Sequence, residues 1–250
     1  MKQPIEDKKG LTEYRVWDRS IRVFHWLNVA CLLGLIAIGL VILNSKALGV
    51  SDDGKILLKT WHVYIGYLFA LNLAWRIIWG FIGSRYVRWR AILPMGSAYR
   101  EQRAKFVAGL KNGRPAGFLG HNPLARWMVT LLLLLLSLQA ITGLVLAGTD
   151  VYMPPFGNSF KAWVAESPET VELVRPYSDE GVNKAAYQDM RDFRKPFITV
   201  HYYVFFILLA AIALHLLGVL VTELRERNGL VSAMLTGRKV FKNKPIDLDD

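Results

Sequence analysis

Four of the five histidines in this chain, His25, His62, His201 and His215, stand inside long apolar runs. A titratable or ligating side chain in such surroundings is costly to keep and reads by default as a functional site. His201 and His215 are fourteen residues apart on one apolar segment. On an α-helix that spacing leaves them within roughly 40° of one face and ~21 Å apart along the axis. Two stacked positions on one helix, with one histidine on each of two other helices, make four ligands. That is the number two six-coordinate haems require. Neutral imidazole suits iron, and an iron held by two imidazoles has no open position for oxygen chemistry, which leaves electron transfer.

The elements that must position these residues follow from composition. The chain has 250 residues and is 53% hydrophobic, with a positive mean hydropathy. Four apolar stretches exceed the ~20 residues needed to cross a bilayer core: about 23–43, 61–82, 124–147 and 197–222. Each is apolar all round, as expected of a span and not of a surface helix. The fold class expected is an all-α membrane protein, a four-transmembrane-helix bundle with a long loop, 148–196, between helices three and four. Residues 1–22 form a polar arm with no cleavable signal peptide evident, 23–222 the membrane domain, and 223–250 a tail. Within the loops, Ser97 to Leu110 reads as an interfacial helix before the breaker Asn112-Gly113-Arg114-Pro115. Asn122-Pro123 reads as an N-cap with proline at the first helical position. A short helix is expected near Phe160 to Glu166 and an amphipathic piece from Gly229 to Leu235, ended by Gly237.

The net charge of +11 is explained by topology. Residues 83–123 carry eight Lys or Arg against Glu101 alone, whereas 148–196 carry eight acids against six bases. Excess Lys and Arg mark cytoplasmic loops. The second loop is then cytoplasmic, the third periplasmic, and both termini cytoplasmic, in a bacterial inner membrane. The basic charge suits anionic headgroups, so membrane lipid is an expected partner and nucleic acid is not. The single cysteine, Cys31, lies in span one, and no Cys-x-x-Cys-His is present. A disulfide framework within the chain and covalent haem attachment are both excluded.

Topology also tests the ligand pairing. Span one runs outward, so His25 near its start is cytoplasmic in depth. Spans two and four run inward, which places His62 and His201 toward the periplasm and His215 toward the cytoplasm. Depth matches only His25 with His215 and His62 with His201. A membrane histidine can also be a plain interhelical hydrogen-bond partner, but four paired by depth disfavour that reading. A proton relay or permease would want intramembrane carboxylates, and the four spans contain none. Gly66 and Gly218, near His62 and His215, offer clearance for a porphyrin, and Gly34 and Gly143 further room. Small residues also serve simple helix packing. Arg22, Arg76 and Arg126 near span ends are candidates for bidentate contact with haem propionates, with headgroup snorkelling the alternative. His121 is either an interfacial capping residue or a contact to quinone or a propionate.

The motifs resemble a known family. Val16-Trp17-Asp18-Arg19 followed by Arg22-Val23-Phe24-His25-Trp26, Trp61-His62 with Gly66 and Arg76, Gly83-Ser84-Arg85-Tyr86, and Gly120-His121-Asn122-Pro123-Leu124 are similar to the bacterial di-haem cytochromes b of the cytochrome b-561 and nickel–iron hydrogenase b-type subunit family. His201 and His215 match its two fourth-span ligands, spacing included. Glu223-Leu224-Arg225 and 229–238 resemble its tail. The resemblance implies two non-covalent b haems with His25, His62, His201 and His215 as axial ligands. It also implies electron passage between quinone and a redox partner. The expected function is a membrane electron-transfer subunit relaying electrons between the quinone pool and a periplasmic protein, a hydrogenase small subunit or a c-type cytochrome, with room for homo-oligomers. The acidic third loop, with its Pro-Pro-Phe-Gly turn, departs from the hydrogenase subunits. The alternatives are a self-sufficient quinol oxidoreductase acting on a small oxidant, and a non-redox scaffold or transporter.

Overall fold

A computed structural model of the chain describes residues 5–6, 11–113 and 117–248. Lys2, Lys8 and Lys9 of the arm and Arg114-Pro115 of the breaker lie outside the described residues. In chain order the elements are β1 (Ile5–Glu6), β2 (Thr12–Arg15), α1 (Arg19–Leu43), α2 (Asp52–Ile82), α3 (Trp89–Ile92), α4 (Ser97–Lys111), α5 (Pro123–Val151), α6 (Gly157–Val164), α7 (Lys184–Glu226), α8 (Leu230–Thr236) and β3 (Arg238–Phe241). Four helices, α1, α2, α5 and α7, are long and apolar enough to cross a membrane. Large side chains such as Leu33, Leu71, Phe81 and Leu216 are exposed along them. Exposed apolar surface on this scale suits lipid, not water.

The helices extend beyond the apolar stretches wherever polar residues satisfy their ends. α1 is capped by Asp18, whose Oδ1 accepts the Ile21 amide at 2.9 Å. Burial works against the Asp18 charge, but the Ile21 amide, the Ser84 hydroxyl and the Trp79 indole hold its carboxyl below the usual carboxylate range. α5 begins at Pro123, with Asn122 Oδ1 accepting the Ala125 amide at 2.8 Å. α7 starts at Lys184, where Asn183 Oδ1 takes the amides of Ala185 and Ala186. The last part of the expected third loop is therefore helix, continuous through Pro196.

The chain divides into two compact units, and each of the four long helices contributes a segment to both. The termini-bearing unit comprises the residues up to Trp26, Ala74–Leu134 and those from Leu208 onward. It contains a small antiparallel sheet in the order β1-β2-β3, with Thr12 opposite Phe241 and Arg15 opposite Arg238. This corrects the all-α expectation: strands of two to four residues joining the arm to the tail carry no readable period. The Gly237 carbonyl accepts the Val16 and Trp17 amides. Gly237 itself caps α8 at φ 83°, and a Cβ there would stand 2.6 Å from the Trp17 carbonyl oxygen. Only glycine meets both demands.

The loop-bearing unit comprises Leu27–Leu73 and Leu135–Ile207. Its connector after α5 is ordered. Tyr152, Phe160, Val164, Val174 and Met190 bury one another there, with Ala165, Val182 and Tyr187 packed against them. That small core, together with the Ala165–Val182 bridge, ties the two ends of the loop together.

Candidate haem sites

In the loop-bearing unit, α2 carries His62 and α7 carries His201. The two rings are near enough for the charge of one to be felt at the other. Each lies against a glycine. A Cβ on Gly39 would come within 3.5 Å of His62 Cε1, and one on Gly143 within 3.3 Å of His201 Cε1. The Thr142 hydroxyl donates to the Leu138 carbonyl at 2.7 Å, so its lone pair faces His201 Nδ1 at 2.9 Å. A hydroxyl has one proton, and with it on the Leu138 carbonyl the Thr142 oxygen can accept from a protonated His201 Nδ1. In that tautomer Nε2 carries no proton and its lone pair is available to a metal.

In the termini-bearing unit, His25 on α1 and His215 on α7 are likewise close enough to interact electrostatically. The His25 ring sits edge-on to Trp26, centroids 5.2 Å apart, and Trp26 is fixed by its indole to the Met234 carbonyl at 3.0 Å. His25 Nδ1 and His62 Nδ1 are buried without a hydrogen-bond partner.

Cations gather in the same unit. Arg76, 3% exposed, donates Nη2 to the Val87 carbonyl at 3.1 Å and lies over the Trp89 ring. Its Nη1 is buried and unpartnered. Arg126 donates Nη2 to Gln102 Oε1 at 2.7 Å and lies over the Tyr99 ring. The buried face of α4 thus holds Arg126. His121 stacks on Trp17 at 4.9 Å, and its Nδ1 is buried without a partner. Burial pushes the His121 ring down to about 3, helped by the charges of Lys239, Arg76, Arg126 and His215. It is neutral at physiological pH. As pH falls from 6.5 toward 3 the unfolded chain takes up a proton that the folded chain refuses, so this residue subtracts stability across that window.

The structure thus brings His121, Arg76 and Arg126 into one electrostatic neighbourhood with His215. The Arg22 guanidinium bonds to the Leu235 carbonyl in α8. At Gly66 and Gly218 a Cβ would meet no protein atom within 4 Å. Sequence reading missed Gly39, Thr142 and three charged residues of the loop-bearing unit, Lys59, Asp150 and Arg194. For Gly39 no signal existed, since its role depends on which helix faces His62.

Two histidine pairs on apolar helices, one of them backed by glycines, together with the buried guanidinium groups of Arg76 and Arg126, fit an iron porphyrin. These features define a membrane-spanning electron-transfer protein of the b-type cytochrome class, because no covalent attachment motif is present. The chain belongs to the prokaryotic cytochrome b561 family, whose model matches residues 16–237. It is 24% identical over 247 residues to a Cupriavidus necator protein named "Probable Ni/Fe-hydrogenase B-type cytochrome subunit", covering 96% of this chain and 92% of that one. A Rhizobium leguminosarum protein of the same name is 23% identical, with coverage of 92% and 90%. An Escherichia coli K12 protein, "Probable Ni/Fe-hydrogenase 1 B-type cytochrome subunit", is 30% identical over 149 residues, 55% of this chain and 61% of its own. No solved structure matches the chain.

The Gly143 contact gives a direct test. Gly143→Val should drive methyl groups into the His201 imidazole, at the ~1–3 kcal/mol typical of overpacking. Bound haem per purified chain is expected to fall below the parent's. Haem content equal to the parent's would remove Gly143 from the site.

Proposed function

We propose that the chain binds two b haems, one between His25 and His215 and one between His62 and His201, and relays electrons between a quinone and a redox protein. What carries this reading is that each compact unit contains one pair of histidines on two of its long helices, with Gly39 and Gly143 lying against the His62 and His201 rings. The bound group supplies reversible one-electron chemistry at iron, and the chain supplies ligands, burial and charge. Arg76 and Arg126 serve the propionates of the His25/His215 haem. The neutral His121, with its unpartnered Nδ1, offers a hydrogen bond to a propionate or to a quinone oxygen at the same end.

The basic 83–123 segment and both termini face the cytoplasm, and the ordered 148–196 segment faces the periplasm. The names of the relatives favour a hydrogenase as the redox partner. The chain then works as a subunit, with electrons passing from one face of the inner membrane to the other.

The test is spectroscopic. Purified chain in nanodiscs should show a reduced-minus-oxidised b-type spectrum and two haems by pyridine haemochrome. A short-chain quinol should reduce both haems in a stopped-flow mixing experiment, with turnover only after a redox partner is added. A colourless chain sinks the reading. Haems that no quinol reduces at any ratio sink the quinone assignment.

A further inference from the structure

At one end of the His62/His201 pair lies a charged cluster that helix packing alone does not require. Lys59 Nζ approaches Asp150 Oδ2 at 2.6 Å, and Arg194 Nη1 bonds to Asp150 Oδ1. All three side chains are about four-fifths buried, at 19–22% exposure. One carboxylate is thus shared by two cations, which leaves a surplus positive charge in partly buried surroundings. Arg194 Nε is buried with no hydrogen-bond partner. Leaving one donor of a charged group without an acceptor in such a place is expensive, and the surplus positive charge favours an anion as that acceptor.

Helix geometry says which anion. Arg194 and His201 are seven residues apart on α7, within roughly 20° of one face and ~10 Å apart along the axis. Lys59 is three residues before His62 on α2, a neighbour on the same side. Asp150 is seven residues beyond Gly143 on α5, the glycine that backs His201. From the imidazole pair, all three helices therefore run in one direction to the charged cluster. A planar ligand gripped at its centre by His62 and His201, with its acidic arms lying along the helices, reaches that cluster two turns away.

We propose that Arg194 and Lys59 form a carboxylate receptor for the haem held by His62 and His201, with a propionate joining Asp150 between the two cations. This rests on the two-haem reading above. It adds a second anion site to the one formed by Arg76 and Arg126, so each haem has its own cationic end. An anionic lipid headgroup shares the chemistry, and the experiment separates the two.

Full-length chain is reconstituted in nanodiscs of zwitterionic phosphatidylcholine and, separately, with added phosphatidylglycerol. The haems are titrated potentiometrically, with absorbance and low-spin EPR as readouts. A unit charge ~10 Å from iron at an effective dielectric near ~20 shifts the reduction equilibrium about tenfold, which is about 59 mV for one electron. Arg194→Gln should lower one haem by about that factor, because a bare propionate favours ferric iron. Asp150→Asn should raise the same haem by a similar factor. Arg194→Lys should stay near the parent value. The shift should persist in a His25→Ala background and vanish with His62→Ala. If Arg194→Gln does not fold, Asp150→Asn with its opposite sign carries the test. Shifts of one sign for both variants, shifts in the other haem, or no shift overturn the receptor. A shift seen only with phosphatidylglycerol assigns the site to a headgroup and overturns it as well. A wild type that binds no haem defeats the underlying reading instead, so the two failures are told apart.

Discussion

Replacing His25 with alanine is expected to yield a folded chain that binds one haem where the parent binds two. His215→Ala should remove the same haem, and the double variant should lose nothing further. His62→Ala and His201→Ala should remove the other. Combining one member of each pair, His25→Ala with His62→Ala, should give colourless protein. The reasoning is that a low-spin iron needs both imidazoles, and each pair lies within one compact unit. Pyridine haemochrome counts per chain and the two low-spin EPR signals provide the measurement. Loss of a ligand that binds only the folded state also lowers stability, by about 2.7 kcal/mol at a free concentration a hundred times its dissociation constant. Each single variant should therefore unfold at a lower temperature than the parent and recover partly with added imidazole. Any pattern in which His25→Ala and His201→Ala delete the same haem would break the pairing.

The proposed pairing can be drawn from the sequence because it needs only helix period, span direction and the charge of two loops. Those are one-dimensional properties. The spans, the α4 helix, the Asn122 cap and the Gly237 stop were legible for the same reason, as each is written in neighbouring residues. The helix ends were not. α2 begins at Asp52 and α7 at Lys184, well outside the apolar stretches, because polar turns can remain helical once they leave the lipid and find caps. The cluster of Lys59, Asp150 and Arg194 was invisible because its contacts join residues 91 and 44 positions apart. Arg22 shows the same. Its position near a span end suggests an acidic ligand, while the bond of its guanidinium to a backbone carbonyl of α8 is written in no neighbouring residue. Propensity can say that an arginine sits at the right depth. Only packing says which oxygen it meets.

The tail poses the sharpest version of that problem, and the second large effect is expected there. Lys239, 2% exposed, donates its Nζ to the carbonyls of Phe118, Leu119 and Gly120 at 3.3, 2.8 and 3.1 Å. Asp247 accepts the amides of Leu119 and Gly120 at 2.6 and 2.8 Å. Opposite charges from the tail thus hold both sides of one short backbone segment, the segment that presents His121 to Trp17. Burial pulls the Lys239 ammonium down to about 8, opposed by Asp247, Glu226 and Glu223, so at neutral pH it still carries its proton. Lys239→Met keeps the apolar stem but strips three carbonyls of their donor. A buried acceptor left bare costs about 1–3 kcal/mol, and breaking a buried charged contact about 3–5 kcal/mol in total. Asp247→Ala should cost somewhat less, because it strands two amides instead. Since both residues grip the same segment, once one has let it go the other has less to lose. The double variant should fall short of the summed losses, as coupled neighbours do. Unfolding temperature and the rate of protease cleavage between Gly237 and Pro245 report the result. Full additivity, or a tail no easier to cleave in Lys239→Met than in the parent, would mean that the clamp is not what holds the tail in place.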